Sequence, residues 1–131
     1  WNRLRAELDE KGYGVYAVEL KSSGSLIGLL GFHWADFKAD FTPCVEIGWR
    51  LVPEAWGHGY ATEGARACLE HGFARLGLDR VYSFTACVNL PSQAVMQRAG
   101  MRKTAEFNHP KVAPDSVLYP HVLYVREASH A

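Results

Sequence analysis

The stretch Leu51 to Ala67, LVPEAWGHGYATEGARA, constrains this chain more than any other. It reads as the end of a strand, a glycine-bearing turn and the start of a helix. Gly57 and Gly59, one residue apart, let the backbone turn sharply and put no Cβ between the amides and whatever approaches them. Tyr60, Ala61, Thr62 and the residues after them can open a helix whose first N–H groups have no intrahelical partner. Unpaired donors at the positive end of a helix dipole suit a phosphate or pyrophosphate. A tight turn that holds no ligand is the alternative reading of the same residues.

The rest of the chain is legible around that turn. Residues 1–11, WNRLRAELDEK, place Trp1, Leu4 and Leu8 at helical spacing and predict an amphipathic helix ended by Gly12. Strands are expected at Tyr13 to Lys21 and at Leu26 to Trp34. They are joined by the turn Ser22-Ser23-Gly24-Ser25, and the second reads as a central strand buried on both faces. Cys44 to Val52 makes a third strand, in which Gly48 suggests a bulge or a close approach of another backbone. Ala65, Cys68, Leu69, Gly72 and Phe73 form an apolar stripe on a helix that runs to about Leu76, with Gly77 as its stop. Val81 to Val88 is a strand, and Pro91 suits the first turn of a second helix closed by Gly100. A basic, polar segment from Arg102 to Pro114 precedes a last strand at Tyr119 to Arg126. The order predicts an α/β (α+β) fold, a mixed and mostly antiparallel sheet flanked by helices. One parallel pair joins the strands on either side of the Ala61–Leu76 helix.

Composition narrows the class. At 131 residues the chain fits one domain, residues 1–131, and a hydrophobic share of 48% supports a sizeable core. Fourteen basic and fourteen acidic residues cancel, so no global field draws it to nucleic acid or to an anionic membrane. Cys44, Cys68 and Cys87 show no Cys-x-x-Cys spacing and read as small buried residues, with neither a disulfide framework nor a metal site. With no membrane-length apolar run, a cytoplasmic protein is the default expectation.

Two motifs carry a family resemblance. Trp56-Gly57-His58-Gly59-Tyr60-Ala61 resembles the Gln/Arg-x-x-Gly-x-Gly/Ala loop of the GNAT superfamily of acetyl-CoA-dependent N-acyltransferases, with Trp56 in place of the usual Gln or Arg. Asn89-x-x-Ser92 with Gly100-Met101 resembles the same family's next strand end and helix, beside the pantetheine arm. The pair of motifs is similar to the ribosomal-protein N-terminal (alanine/serine) acetyltransferase branch. The resemblance implies acetyl-CoA as cosubstrate, no metal, and transfer of an acetyl group to a primary amine in a ternary complex. It also implies a strand and one or two helices ahead of the meander, of which residues 1–11 hold only the tail.

It implies roles as well. Amides from Gly57, His58, Gly59, Tyr60, Ala61 and Thr62 would hold the pyrophosphate, and Leu51 and Val52 would pair with pantetheine as an added strand. Asn89 would bond backbone or pantetheine, or cap its helix. Glu46 is a candidate general base or the partner of a basic residue across the sheet, and His33 on the neighbouring strand is its rival. Ser92 is the hydroxyl nearest a leaving thiolate, or a helix-terminal Ser bonding a free amide. Many family members have a Tyr where Met96 stands, and methionine cannot donate a proton. A backbone N–H in the Trp49–Leu51 stretch would meet the oxyanion.

The acceptor is open. An α-amine of pKa ~7.7–8.0 is roughly a tenth neutral at pH 7, whereas a lysine near ~10.4 is under ~0.1% neutral. A protein N-terminus or a small amine therefore asks least of the site. Trp34, Phe37, Phe41, Phe107, His109 and Tyr119 are candidates to wall it, or to form a homodimer face. Two other classes compete with the enzyme: a non-catalytic module of the same fold that binds CoA or a partner protein, and an unrelated NAD- or ATP-binding domain.

Overall fold

Alternation of apolar and polar residues, closed by glycine turns, gives the sheet its strands. A computed structural model describes residues 3–8, 14–19 and 23–128, with side chains described at 18, 19 and 23–128. The strands are β1 (Arg3–Leu8), β2 (Gly14–Glu19), β3 (Leu26–Ala35), β4 (Cys44–Leu51), β5 (Arg80–Ala86), β6 (Arg102–Asn108) and β7 (Pro120–Glu127). The helices are α1 (Tyr60–Arg75) and α2 (Leu90–Arg98). One sheet holds all seven strands in the order β1-β2-β3-β4-β5-β7-β6. Every neighbouring pair is antiparallel except β4–β5, which is parallel. The mixed, mostly antiparallel α/β class is the one the sequence pattern predicts.

Four expectations are corrected. The amphipathic helix over residues 1–11 is not formed at Arg3–Leu8, which pairs with β2 from Arg3↔Glu19 to Leu8↔Gly14. Its sequence, RLRAEL, also alternates with period two, and a hydrogen-bonding neighbour decides between the two readings. Residues 9–13, where the expected helix end falls, and 20–22, which include the first residue of the expected turn, lie outside the described residues. The polar segment after Met101 is in fact β6, an exposed edge strand whose charges disguise it. Gly48 makes no bulge, since the β3–β4 register runs unbroken from Gly28↔Leu51 to Ala35↔Cys44. The close approach is instead at Gly28, where a Cβ would stand 2.2 Å from the Arg50 carbonyl oxygen. Finally, burial of β3 on its second face is partial: Leu30 and Phe32 are buried on one face, and Gly31 and Ala35 are buried on the other, where Leu29 and His33 are exposed.

The helices cover one face. On α1 the buried residues are Gly64, Ala65, Cys68, Leu69 and Gly72, a stripe of mostly small side chains. A Cβ at Gly64 would lie 2.9 Å from a Leu30 methyl, and one at Gly72 would lie 2.6 Å from Phe32 Cζ. The helix therefore sits closer to β3 than an ordinary residue would allow. Leu30, Phe32, Ile47 and Leu69 are buried at the contact, each worth about 1.5–3 kcal/mol of transfer free energy. Met96 and Ala99 of the α2 region enter the same core against Val122 and Tyr124. Arg126 Nη1 donates to the Ala99 carbonyl (3.0 Å), and its guanidinium lies 5.6 Å from the Phe73 ring, fastening the end of α2 to α1. Among the described residues no helix covers the other face.

Gly72→Val places a branched side chain against a rigid ring. We expect a loss of about 1–3 kcal/mol, read as a lower urea midpoint at unchanged slope. The exposed Glu70→Ala should stay within about 0.5 kcal/mol of wild type.

Candidate functional site

Strands β4 and β5 meet at a single bridge pair, Glu46↔Tyr82, and then part. One step past that pair the Ser83 hydroxyl, fully buried, donates to the Ile47 carbonyl at 2.9 Å and takes the place of a ladder bond. The Val52 N–H donates to Ile27 on the β3 side (2.8 Å). Amide direction alternates along a strand, so Trp49 and Leu51 turn their main-chain groups into the gap. Leu51 thus faces the opening while Val52 is already engaged with β3. The Leu51 carbonyl is taken by the Trp56 indole N–H at 2.9 Å, which leaves its amide.

The gap widens into a cavity of about 980 Å³. Trp49, Arg50 and Leu51 line one side, Trp56, Gly57, Gly59, Tyr60, Ala61 and Thr62 the floor, and Asn89, Ser92 and Arg98 the far wall. Gly59 has φ 79° and stands at the N-terminus of α1 without a side-chain cap. Only at Glu63, whose amide donates to the Gly59 carbonyl (3.0 Å), does helical bonding begin. The amides of Tyr60, Ala61 and Thr62 therefore point, unpaired, out of the helix end. Among the described residues no acidic residue lines the cavity, whereas Arg50 and Arg98 do. It is a cationic, donor-rich cleft.

The second helix is set by its own cap. The Asn89 Oδ1 accepts from the Ser92 amide (3.3 Å), and its Nδ2 donates to Thr85 Oγ1 (3.1 Å). Asn89 thus fixes the α2 start, with one amide hydrogen left for a ligand. The Ser92 hydroxyl has no hydrogen-bond partner among the described residues and lines the cavity. Met96 is 1% exposed and belongs to the core, so it does not reach the cleft. His58 lies outside the cavity lining, its ring stacked on Tyr60 with centroids 5.2 Å apart.

Glu46 and His33 are cross-strand partners on the helix-free face, at the closed apex of the gap. Burial pushes the Glu46 carboxyl up to about 7. Burial also pushes the Cys44 and Cys68 thiols up to about 11 and about 12, which removes both as nucleophiles near neutral pH. Beyond Tyr82 the same face carries an aromatic cluster. Phe41 lies 5.6 Å from Tyr82, Phe37 lies 5.4 Å from Phe84, and Phe107 and His109 close around them. Of the expected wall, Phe37, Phe41, Phe107 and His109 gather here. Trp34, opposite Val45, faces the helix side, and Tyr119 is outside the ring cluster.

Sequence reasoning reached Trp49 and Arg50 only as part of the stretch expected to meet the oxyanion, and missed Ser83, Ala94, Val95 and Arg98. They belong to neither motif and reach the site through strand pairing and helix packing. The Trp56 hydrogen bond to Leu51 could have been suspected from its place in the turn.

A parted parallel strand pair ending at an uncapped helix N-terminus defines an acyl-carrier-binding α/β domain of the N-acyltransferase type. The comparisons place it further. Residues 1–102 match the acetyltransferase (GNAT) domain, and the chain belongs to that family. An uncharacterized N-acetyltransferase, YnaD of Bacillus subtilis, is 36% identical over 92 residues, 70% of this chain and 52% of its own length. The structure of a GNAT-family acetyltransferase from Bordetella pertussis superposes at TM-score 0.74 with 30% identity, over 90% of this chain and 68% of that one. Mycobacterium smegmatis RimJ, in complex with CoA-disulfide, shares the fold at TM-score 0.73 and 23% identity, over 88% of this chain and 53% of its own. The chain spans 29% and 52% of the length of two curated relatives that it matches. The family's cosubstrate is acetyl-CoA. Its elongated, phosphate-bearing shape fits a carboxylate-free cleft with three free helix-end amides.

Two outcomes follow from this geometry. Glu46 binds a proton more tightly folded than unfolded between its ordinary value near 4.5 and about 7. Its contribution to stability therefore falls as pH rises through that window and is level above it. Glu46→Gln should gain thermal midpoint relative to wild type across the window, read by melting at several pH values. Gly59→Ala meets no neighbouring atom, so its effect is backbone strain of about 1–2 kcal/mol at a positive φ. It should weaken CoA binding by calorimetry while the core remains folded by circular dichroism.

Proposed function

We propose that the chain is the transferase domain of an N-acetyltransferase that acts on a primary amine of low basicity, a protein N-terminal α-amine or a small amine. The observation that carries this reading is the gap between β4 and β5, which opens past the Glu46↔Tyr82 pair into a cavity lined by Tyr60, Ala61 and Thr62 of the α1 N-terminus. When bound, acetyl-CoA supplies the acyl group as a thioester. Tyr60, Ala61 and Thr62 hold the pyrophosphate by main-chain donors, and the inward amides of Trp49 and Leu51 orient pantetheine and meet the developing oxyanion.

The acceptor approaches from the helix-free face. Glu46, half ionised near pH 7, takes the amine proton directly or through one water, with His33 its neighbour across the strand pair. A base of that pKa lies about one unit from an α-amine and more than three from lysine, which supports the α-amine. Ser92, unbonded and facing the cavity, is the residue placed to return a proton to the thiolate. Asn89 positions Ser92 through its cap. The rings of Phe41, Tyr82 and Phe84 shield the apex from water on one side. Half-buried or buried free thiols at Cys44, Cys68 and Cys87 support a reducing, cytoplasmic setting. Among the described residues no helix is long and apolar enough to cross a membrane.

The buried Met96 favours a second reading, a CoA-binding module without catalysis, because no side chain at that position can supply a proton. Acetyl-CoA should quench the fluorescence of Trp49 and Trp56, and adenosine alone should not. Thiol release across a panel of α-amines, polyamines and lysine peptides then separates the readings. Release that rises with pH through about 7 and is lost in Glu46→Gln supports the enzyme. Quenching with no release from any amine leaves the module.

A further inference from the structure

Gly48 stands in the middle of β4, and nothing in the backbone asks for a glycine there. Its φ is not positive, the β3–β4 register passes it without a bulge, and a Cβ would meet only His33 Cδ2, at 3.9 Å, among the described residues. A glycine inside a strand weakens it, and such a position often marks where a ligand or another backbone comes close. Its cross-strand partner is Gly31, so neither strand raises a side chain at this rung. Side chains alternate along a strand, so Glu46, Gly48 and Arg50 share the face opposite Ile47, which is buried in the core with Ala65 and Leu69 of α1. On that face the bare rung lies between the His33–Glu46 pair and the Leu29–Arg50 pair. Toward β5 no ladder partner follows, since the pairing ends at Glu46↔Tyr82.

Resting on the acetyl-transfer reading above, we propose that Gly48 is a specificity-determining residue of the acceptor side, and that the bare Gly31–Gly48 rung seats the main chain of a peptide whose α-amine lies at Glu46. An amine that reaches Glu46 from the helix-free face has Gly48 as the next residue of β4 beneath it. Two positions further on the same face, Arg50 is exposed and has no carboxylate partner among the described residues. A strand rises ~3.3 Å per residue, so Glu46 and Arg50 are roughly 13 Å apart along β4, room for the first few residues of an extended peptide. Charge separates this acceptor from a polyamine. A polyamine on the same face would bring a second ammonium toward the Arg50 guanidinium, and like charges repel. A peptide brings carbonyl oxygens there instead, which a guanidinium can bond. Leu29, opposite Arg50 and 49% exposed, offers apolar contact to a side chain of that peptide.

Steady-state thiol release tests this on wild type, Gly48→Ala, Gly48→Val and Arg50→Gln, with a neutral tripeptide amide and a linear triamine as acceptors. Valine suits a strand and its Cβ has room, so Gly48→Val should melt no lower than wild type and bind acetyl-CoA with unchanged affinity by calorimetry. Its KM for the tripeptide should rise about tenfold or more, as a side chain fills the seat, with Gly48→Ala between the two. The pH dependence of kcat should stay in place, because the base is untouched. Wild type should favour the tripeptide over the triamine in kcat/KM, and Arg50→Gln should narrow that preference. A tripeptide KM unmoved in Gly48→Val, or a triamine preferred by wild type, overturns the assignment and leaves the acetyl-transfer reading standing. A fall in both melting temperature and acetyl-CoA affinity in Gly48→Ala and Gly48→Val makes the glycine a structural one and overturns it as well. No release from any amine by wild type overturns that reading and this assignment together.

Discussion

The site depends on the parting of two parallel strands. Beyond Glu46↔Tyr82, β4 and β5 no longer share a ladder, and a buried serine hydroxyl is the last link between them. A polar main chain inside a fold must find partners or an opening to solvent or ligand. Here the unpaired inward edge of β4 at Trp49 and Leu51 becomes the wall of a cleft. If the ladder continued, the sheet would be better bonded and the cavity would close. Stability given up at the strand pair is what makes room for a carrier.

The helix seat gives that opening its chemistry. Because Gly64 and Gly72 let α1 lie almost on Leu30 and Phe32, its N-terminus is held at the mouth of the gap. Gly59, in the left-handed region, turns the chain so that three amides face the cavity and no side chain caps them. The cationic end is thus made mainly of backbone, which cannot be titrated near neutrality. The titratable part sits at the other end, where burial lifts Glu46 into the physiological range.

Much of this was legible beforehand. The glycine turn, the strand before it and both helices stand where periodicity and capping residues put them. Leu51, Gly57, Gly59, Tyr60, Ala61, Thr62, Asn89 and Ser92 all line one cavity. The misreadings have local causes. RLRAEL satisfies helical and strand periods together, and only the presence of β2 beside it selects the strand. RKTAEFN is too charged to look like a strand because it lies at the sheet edge, where charges are useful. Gly48 and Gly28 are equally plain in the sequence, and which of them meets another backbone is a matter of register.

The sequence by itself determined the local conformations around Gly57 and Gly59, the cap at Asn89, the class of sheet and the family motifs. These are encoded in backbone preferences that act over a few residues. The tertiary structure alone decided the rest. It parted β4 from β5, turned Leu51 inward and Val52 toward β3, buried Met96, and brought Arg98 to the cleft from 32 residues beyond Arg66. It also gathered Phe37, Phe41, Phe84 and Phe107 on one face. Each of these depends on strand register and on which faces touch, and those follow from the packing of the whole domain.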